Sequence, residues 1–248
     1  MKIVVIGGTG LIGAGLVDAL RGRGHDVVPA SPSSGVDAVT GKGLAAALAS
    51  ADAVADVAKG RSFEAGAAME FFTTATRNVL AAERNAGVWH HVALSIVGVD
   101  RLPASGHYRA KVAQERLIEE SGIAYSIVRA TQFFEFIRAI ADSAAAGGTI
   151  LLPPALVQPV AAADVVAVLA DIVTGPPLRG IVEVAGPEVF PLDEVARTAL
   201  AAWGDPRTVI TDPHAPYFGG ELGERTLVPD EGHARIAATP LARWLRPE

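Results

Sequence analysis

Lys2-Ile3-Val4-Val5-Ile6-Gly7-Gly8-Thr9-Gly10-Leu11-Ile12-Gly13 is the stretch on which the reading of this chain turns. An apolar run, Lys2–Ile6, stops at paired glycines. An amphipathic stretch, Leu11–Arg23, then sets Leu11, Ile12, Leu16, Val17 and Leu20 on one side. Strand, turn and helix are implied in that order. Within the turn, Gly7-x-x-Gly10-x-x-Gly13 has a physical purpose. Glycine permits positive φ, and a missing Cβ lets an anion approach the backbone. The helix start offers unpaired N–H groups and the positive end of its dipole. Gly13 allows close helix–strand contact. Gly7, Thr9, Gly10, Leu11, Ile12 and Gly13 are therefore the candidate cradle for the diphosphate of a dinucleotide.

The alternation continues outward from this turn. Strands are expected at Asp26–Ala30, Ala53–Val57, Val88–Ile96 and Ala124–Arg129, with helices over Glu64–Ala86 and His107–Ser121. Near-continuous apolar strands alternating with helices imply an α/β fold: a doubly wound parallel sheet covered on both faces. After Arg129 the rhythm loosens. Gln132–Ala146 is expected to be helical. Loops surround Thr149–Leu152 and Val157–Val160, followed by a helix at Asp164–Val173, a strand at Gly180–Ala185 and a helix at Leu192–Ala202. A turn-rich tail from Gly204 ends in a short helix near Leu241–Leu245. The division this suggests is a nucleotide-binding domain over 1–146, with strand contributions from later residues possible. A small C-terminal α/β lobe over 147–248 packs on it and forms one wall of a cleft.

Composition narrows the function classes. The 248 residues are 50% hydrophobic and 19% charged, too apolar for disorder. With no cysteine, disulfides, thiolate metal sites and cysteine nucleophiles are excluded. The net charge of −6 falls entirely in residues 143–248, and no basic excess suited to nucleic acid is visible. The longest uncharged run, Ser143–Ala163, is broken by Gly147-Gly148 and three prolines, so no bilayer-spanning helix is expected. The apolar start before Gly7 is too short for a secretory signal, which makes the cytoplasm the expected location. A homo-oligomer is compatible with the sequence. No metal site is expected: adjacent strand residues such as His90 and His91 point to opposite faces, and His214 and His233 have no ligand pattern around them.

The end of the second strand speaks to which dinucleotide is held. Val27-Val28-Pro29-Ala30-Ser31-Pro32-Ser33-Ser34 has no carboxylate until Asp37. A carboxylate there would accept from a ribose 2′-hydroxyl, as in NAD sites, and would repel a 2′-phosphate. Ser31 and Ser33 can donate to one. NADP(H) is accordingly preferred over NAD(H).

Beyond these physical readings, Gly-Gly-Thr-Gly-x-x-Gly, Asp52-Ala53-Val54, Leu94-Ser95-Ile96-Val97-Gly98 and Tyr108-Arg109-Ala110-Lys111 resemble, in this order, an atypical short-chain dehydrogenase/reductase. Tyr125–Ala130, Val157-Gln158-Pro159-Val160 and Asp164-Val165-Val166 are similar to the NmrA-like branch of that group. The resemblance implies a Rossmann domain that binds NADP(H), with a small C-terminal substrate lobe. It implies cofactor contacts from Ala58, Lys111 and Thr131 as well as from the glycine turn and the serines. It further implies that Ser95 faces the nicotinamide and the acceptor carbonyl, where a hydroxyl can donate to an oxygen gaining negative charge.

The proton relay departs from that family's Tyr-x-x-x-Lys pattern. Tyr108 stands three residues before Lys111, and His107 stands four before it. Both spacings bring a helical residue onto the face of Lys111. The proton donor is therefore His107, Tyr108 or neither. Hydride delivery to a quinone needs no tightly placed acid, so the departure weakens a ketone reductase more than a quinone reductase. Phe133, Phe134 and Phe136 follow the fifth strand and are the candidate walls of a flat apolar substrate pocket. Tyr217 and Phe218, beside Pro216 and Gly219-Gly220, read equally as a lid or as a loop anchored by aromatics. The expected function is NADPH-dependent reduction of a small apolar quinone or carbonyl acceptor. Two alternatives stand beside it: a non-catalytic NADP(H)-binding redox-sensing regulator, and a non-redox enzyme on the same fold.

Overall fold

Ile3, Val4, Val5 and Ile6 are all shielded from water, which a strand of four consecutive large apolar residues requires. In the computed structural model, which describes residues 1–60, 62, 64–230, 232 and 234–246, this run is β1 (Lys2–Ile6) at the centre of a parallel sheet. His233 lies outside the described residues. The elements that follow are α1 (Leu11–Gly22), β2 (Asp26–Ala30), α2 (Leu44–Leu48), β3 (Ala53–Asp56), α3 (Ala65–Ala86), β4 (His90–Ile96), α4 (Gly106–Glu119) and β5 (Tyr125–Ala130). Then come α5 (Ile137–Ser143), β6 (Ala145–Ala146), β7 (Thr149–Leu152), β8 (Leu156–Val157), α6 (Ala162–Thr174), β9 (Gly180–Ala185), β10 (Phe190–Pro191), α7 (Leu192–Ala202), β11 (Thr208–Thr211), β12 (Ala234–Ile236) and α8 (Leu241–Trp244).

Seven strands form the main sheet in the order β12-β9-β5-β4-β3-β1-β2, and every pair is parallel. Alternation along β1 sends Ile3 and Val5 to the face covered by α1 and α6, and Val4 and Ile6 to the face covered by α2 and α3. Further along the second face, Leu80 and Ile118 from α3 and α4 pack on Ala93 and Ile127. The sheet is thus doubly wound. The chain leaves β1 toward β2 on one side, while β3 lies on the other. Such a reversal opens a crevice at the carboxyl ends of the strands.

Residues 147–248 divide between two places. β9, β12 and α6 complete the main sheet and its covering layer, whereas β7, β11 and α7 belong to the small lobe. The lobe core gathers Phe134, Ile140, Ile150, Leu152, Leu192, Leu200 and Leu241.

The segment after β5 differs from the single helix expected over Gln132–Ala146. A 3-10 turn, Phe134–Phe136, precedes α5, which ends at Ser143, and β6 then pairs antiparallel with β7. Gly147 and Gly148, at φ +57° and +85°, make the two-residue turn between them. Paired positive φ values are the geometry of a tight hairpin, and Gly-Gly stops the helix in order to form it. Within the tail from Gly204, β11 and β12 are strands that the turn-rich sequence did not indicate.

Two close approaches set the glycine turn. A Cβ on Gly13 would stand 2.1 Å from the Gly7 carbonyl oxygen, and one on Gly7 would stand 2.8 Å from the Ala58 Cα. Gly13→Ala is therefore expected to destabilise the fold by about 3 kcal/mol, the upper range for forcing atoms into a packed region. Gly22→Ala, in the same helix with nothing within 4 Å of the added Cβ, should be neutral or stabilise by about 0.5 kcal/mol. Urea unfolding of the two variants checks the contrast.

Candidate functional site

The floor of the crevice is backbone. Gly7 N–H donates to the Ala30 carbonyl (2.8 Å), Gly8 N–H to Val5 (3.1 Å) and Gly10 N–H to Gly7 (2.9 Å), so the turn is held by its own amides. The first-turn N–H groups of α1 have no intrahelical acceptor. Gly10, at its N-cap, has no side chain with which to bond them, and the first turn has no acidic residue. Gly10 itself is not conformationally demanding: φ −81° and ψ 178° suit any residue, and its Cβ would meet only the Gly7 oxygen, at 3.3 Å. Gly7 and Gly13 are thus required by packing, and Gly10 leaves open the space above the helix start.

One cleft of about 550 Å³ runs from this turn, past the ends of β1, β3, β4 and β5, to an aromatic wall. It brings together Gly7, Thr9, Gly10, Leu11, Ile12, Ser31, Ser33, Ala58, Ser95, His107, Tyr108, Lys111, Thr131, Phe133 and Phe136. Gly13 lies beneath the floor, against Gly7. Phe134 is a correction to the expected aromatic wall. It is 1% exposed in the lobe core, its ring centre 5.3 Å from that of Trp244. The 3-10 turn explains the split, because residues i and i+3 eclipse in that geometry. Phe133 and Phe136 share the cleft side with centroids 5.9 Å apart, and Phe134 is turned away from them.

At the end of the cleft beside β2, Ser31 Oγ and Ser33 Oγ are 2.8 Å apart, and Ser34 Oγ caps the short turn by accepting from Ser31 N–H (2.9 Å). Asp37 also lines this end. Its Oδ1 accepts from the N–H groups of Val39 (2.8 Å) and Thr40 (3.2 Å), which turns the carboxylate back on its own loop.

The middle of the cleft is formed by β4 and α4. Ser95, 4% exposed at the end of β4, has a buried Oγ with no hydrogen-bond partner among the described residues. A buried hydroxyl left without a partner is costly, so a donor aimed into a cleft fits a ligand acceptor. Lys111 presents its ammonium from α4, donating to the Leu94 carbonyl (2.7 Å), and its Nζ lies 4.7 Å from the centre of the Phe72 ring. Burial lowers its pKa to about 8, against the opposing pull of Asp56 and Glu115. Thr131 Oγ1 donates to the Gln158 carbonyl (2.6 Å), which ties the end of β5 to the segment leading into α6.

Neither candidate proton donor has the ionisation of an activated acid. Burial, reinforced by the nearby Lys111 charge, lowers the His107 pKa to about 4, so the ring is neutral at neutral pH. Burial raises the Tyr108 pKa, opposed in part by Tyr217 and Gln132. The residues that sequence reasoning missed are Phe71, Phe72, Lys59, Gln132 and Ile140, all of which line the cleft. Tyr217 and Phe218, weighed as a lid, line it too, and their rings stack edge to face at 4.8 Å. A signal for Lys59 existed, since it follows Ala58 at the end of β3; its Nζ lies 5.8 Å from the Phe136 ring centre. Among the described residues, no helix is long and apolar enough to cross a membrane.

No protein-family model matches the chain, and no curated protein matches its sequence. Solved structures do share its fold. MoeE5 in complex with UDP-glucuronic acid and NAD superposes with a TM-score of 0.73 at 19% identity, covering 99% of this chain and 96% of that one. The UDP-glucose 4-epimerase of Thermus thermophilus, in complex with NAD, gives 0.69 at 20% identity over 92% of each chain. The dTDP-4-dehydrorhamnose reductase from Bacillus anthracis, in complex with NADP, gives 0.71 at 15% identity, covering 90% and 89%. These likenesses establish the Rossmann-like α/β architecture.

The ionisation of His107 can be read directly. In a proton NMR titration of the imidazoles, His107 is expected to turn over near pH 4 and to stay flat from about pH 5.5 to about pH 8. His214, whose pKa Glu221 raises through a 2.9 Å contact, should titrate above its ordinary value in the same spectra.

Proposed function

We propose that this chain is an NAD(P)H-dependent reductase, with NADP(H) preferred over NAD(H), acting on a small apolar quinone or carbonyl acceptor. The observation that carries the reading is the unpartnered, buried Ser95 hydroxyl, placed in one cleft between an anion-cradling helix start and an aromatic wall. The residues fit a dinucleotide. Gly7 and Gly10 leave the floor free of side chains, and the Leu11 and Ile12 amides face the diphosphate position. Ser31 and Ser33 stand by the adenosine ribose, with Ala58 and Thr131 along the wall. Lys111 donates to the nicotinamide ribose from a position already buried before anything binds. The reading rests in part on the resemblance of the sequence to the NmrA-like branch.

The bound cofactor supplies a hydride. On the acceptor side, Ser95 Oγ donates to the oxygen that gains charge as the hydride arrives. Phe133 and Phe136, with Tyr217 and Phe218, exclude water and favour a flat apolar acceptor. The cations lining the cleft among the described residues are Lys59 and Lys111. That is a thin complement for a second diphosphate, which weighs against a nucleotide-linked substrate. A neutral His107 and a Tyr108 of raised pKa weigh for an acceptor whose reduced anion takes its proton from water. At the adenosine end, Asp37 is the residue that opposes a 2′-phosphate; its turn-bound oxygen and the two serines underlie the NADP(H) preference.

Two measurements test the proposal. Purified protein should consume NADPH, followed at the reduced nicotinamide band, in the presence of at least one member of a panel of quinones, aldehydes and imines. Silence across the panel sinks the reductase reading, and product formation without net cofactor loss replaces it with non-redox chemistry. Gly10→Asp separates binding from folding. An N-cap aspartate suits the backbone there and should hold or raise stability by up to about 1 kcal/mol. Its carboxylate occupies the donors and repels phosphate, so NADPH affinity should fall by at least about 100-fold, close to 3 kcal/mol. Retained affinity in a folded Gly10→Asp protein would remove the diphosphate site.

A further inference from the structure

A buried ammonium needs something to hold it, and the cleft wall shows what does. Lys111 Nζ, besides donating to Leu94, donates to Gln114 Oε1 one turn along α4. Gln114 Nε2 in turn donates to Asp56 Oδ2 (3.0 Å), and Asp56 Oδ1 accepts from Ala58 N–H (3.0 Å). Asp56, Lys111 and Gln114 are 3%, 4% and 2% exposed, so water does not substitute for any link.

The chemistry of the two ends fixes the orientation of the middle. The two ends of a carboxamide are alike in shape but opposite in hydrogen bonding. A carboxylate can only accept and an ammonium can only donate. With Asp56 on one side and Lys111 on the other, a single orientation satisfies both: Gln114 gives its NH₂ to Asp56 and its oxygen to Lys111.

The other charges around Lys111 are accounted for. Glu115, on α4, is bound by Arg129 at 3.0 and 2.6 Å, so its charge is already compensated. His91, on β4, is paired with Glu83 of α3 at 2.7 Å, both fully buried. His107, on α4, is neutral at neutral pH. Asp56, on β3, forms no ion pair among the described residues, and the cation nearest it through bonds is Lys111.

We propose that Asp56 and Gln114 are positioning residues for Lys111, the carboxylate orienting the amide so that an oxygen holds the ammonium at the cleft wall. The same carboxylate, through Ala58, holds the wall beside the glycine turn. The aim of the ammonium at the nicotinamide ribose rests on the cofactor reading given above; the relay itself does not.

The test reads Lys111 without cofactor. The chain has four lysines, so the ε-carbon signal of Lys111 in ¹³C-lysine-labelled protein can be assigned by single substitution. In the unmodified protein its midpoint should lie near pH 8. Gln114→Leu removes the acceptor, and Asp56→Asn removes both the charge and the rule that orients the amide. Each should lower the midpoint by about one unit, whereas Gln114→Glu should raise it by a similar amount. Asp56→Asn and Gln114→Glu change a charge beside Lys111 and move the midpoint by electrostatics alone, so Gln114→Leu, which changes no charge, reads the oxygen that holds the ammonium. Dispersed amide spectra establish that each variant is folded, and Gln114→Met, also uncharged and close in length, keeps the test open if Gln114→Leu does not fold.

At about pH 7.5, where Gln114→Leu would leave Lys111 largely neutral, NADPH should bind about fourfold more weakly than to Gln114→Glu. A midpoint that stays within about 0.3 unit in folded Gln114→Leu or Gln114→Met, or midpoints that all move the same way, overturn the relay. Midpoints that move as expected in a protein that binds no dinucleotide uphold the relay and sink the cofactor reading instead.

Discussion

Where β1 ends, three stretches of backbone meet with no side chain between them. The Gly7 carbonyl occupies the place a Cβ on Gly13 would need, and the Gly7 Cα faces the Ala58 backbone at the distance of a bare contact. The first packing fastens α1 to the sheet; the second fastens the end of β3 to the turn. Because both are backbone contacts, they leave nothing projecting upward, and the floor of the cleft consists of amides. The switch in strand order between β1 and β3 opens the crevice directly above. The amide floor, proposed above as the seat of a diphosphate, is therefore a by-product of how tightly this helix is packed on this strand. Gly10, whose added Cβ would meet only the Gly7 oxygen, at 3.3 Å, is the one glycine of the three that packing does not require.

The opposite wall depends on a second tight approach. A Cβ on Gly106 would fall 2.2 Å from the Ala65 Cβ, so α3 and α4 begin almost in contact and run side by side. Close packing there places Phe72 under the Lys111 ammonium and beside His107, with ring centroids 5.6 Å apart. It also buries the polar residues that face the sheet, including Asp56, Gln114, Glu83 and His91. Burial is costly for each of these groups alone, and pairing makes it tolerable. The consequence for chemistry is specific: ionisation along this wall is set by burial and by partners inside the protein. Burial pushes Glu83 up, and Glu83 with burial opposing it still pushes His91 up, so that pair shares a proton in the interior.

Much of this was legible in the sequence because the signals are local. Lys2–Ile6, Asp26–Ala30 and Gly180–Ala185 form strands as their β-branched composition indicates, and Gly87 ends α3 at φ +72° while the Glu64 side chain caps its start. The cleft collects nearly all the residues that the glycine turn and strand ends pointed to. What escaped is non-local. Phe134 and Phe136 differ by two positions, and only the 3-10 geometry sends one to the core and the other toward the cleft. β11 and β12 are short strands whose partners, β7 and β9, lie about 50 to 60 residues away. The contact between Gln114 and Asp56 spans 58 residues and arises because α4 packs over the end of β3. No spacing rule announces such a pair. The hairpin turn at Gly147-Gly148 was legible, yet an alanine-rich run before it reads as helix until the turn is allowed to interrupt it.

The ionisation of α4 bears on what kind of acceptor such a cleft can serve. Hydride transfer to an isolated ketone generates an alkoxide, a base strong enough that its formation is favourable only if a proton arrives with the hydride. A general acid suited to that task has a pKa near the working pH and sits within hydrogen-bond reach of the oxygen. His107, pulled down to about 4, has no imidazolium proton to give at neutral pH, and burial moves Tyr108 away from the working range. Lys111, at about 8, has a suitable pKa, but two of its three N–H groups go to Leu94 and Gln114, and the third is the one proposed to hold the nicotinamide ribose. A quinone makes no such demand. Its reduced form spreads the charge over a conjugated ring and is a weak base, so a single donor such as Ser95 can stabilise the oxygen until water protonates it. A wall of Phe133 and Phe136 matches the flat ring of that acceptor. On the proposed reading, the departure from a tyrosine four residues before the lysine removes the acid that a ketone needs and leaves the single donor and the flat apolar wall that suit a quinone.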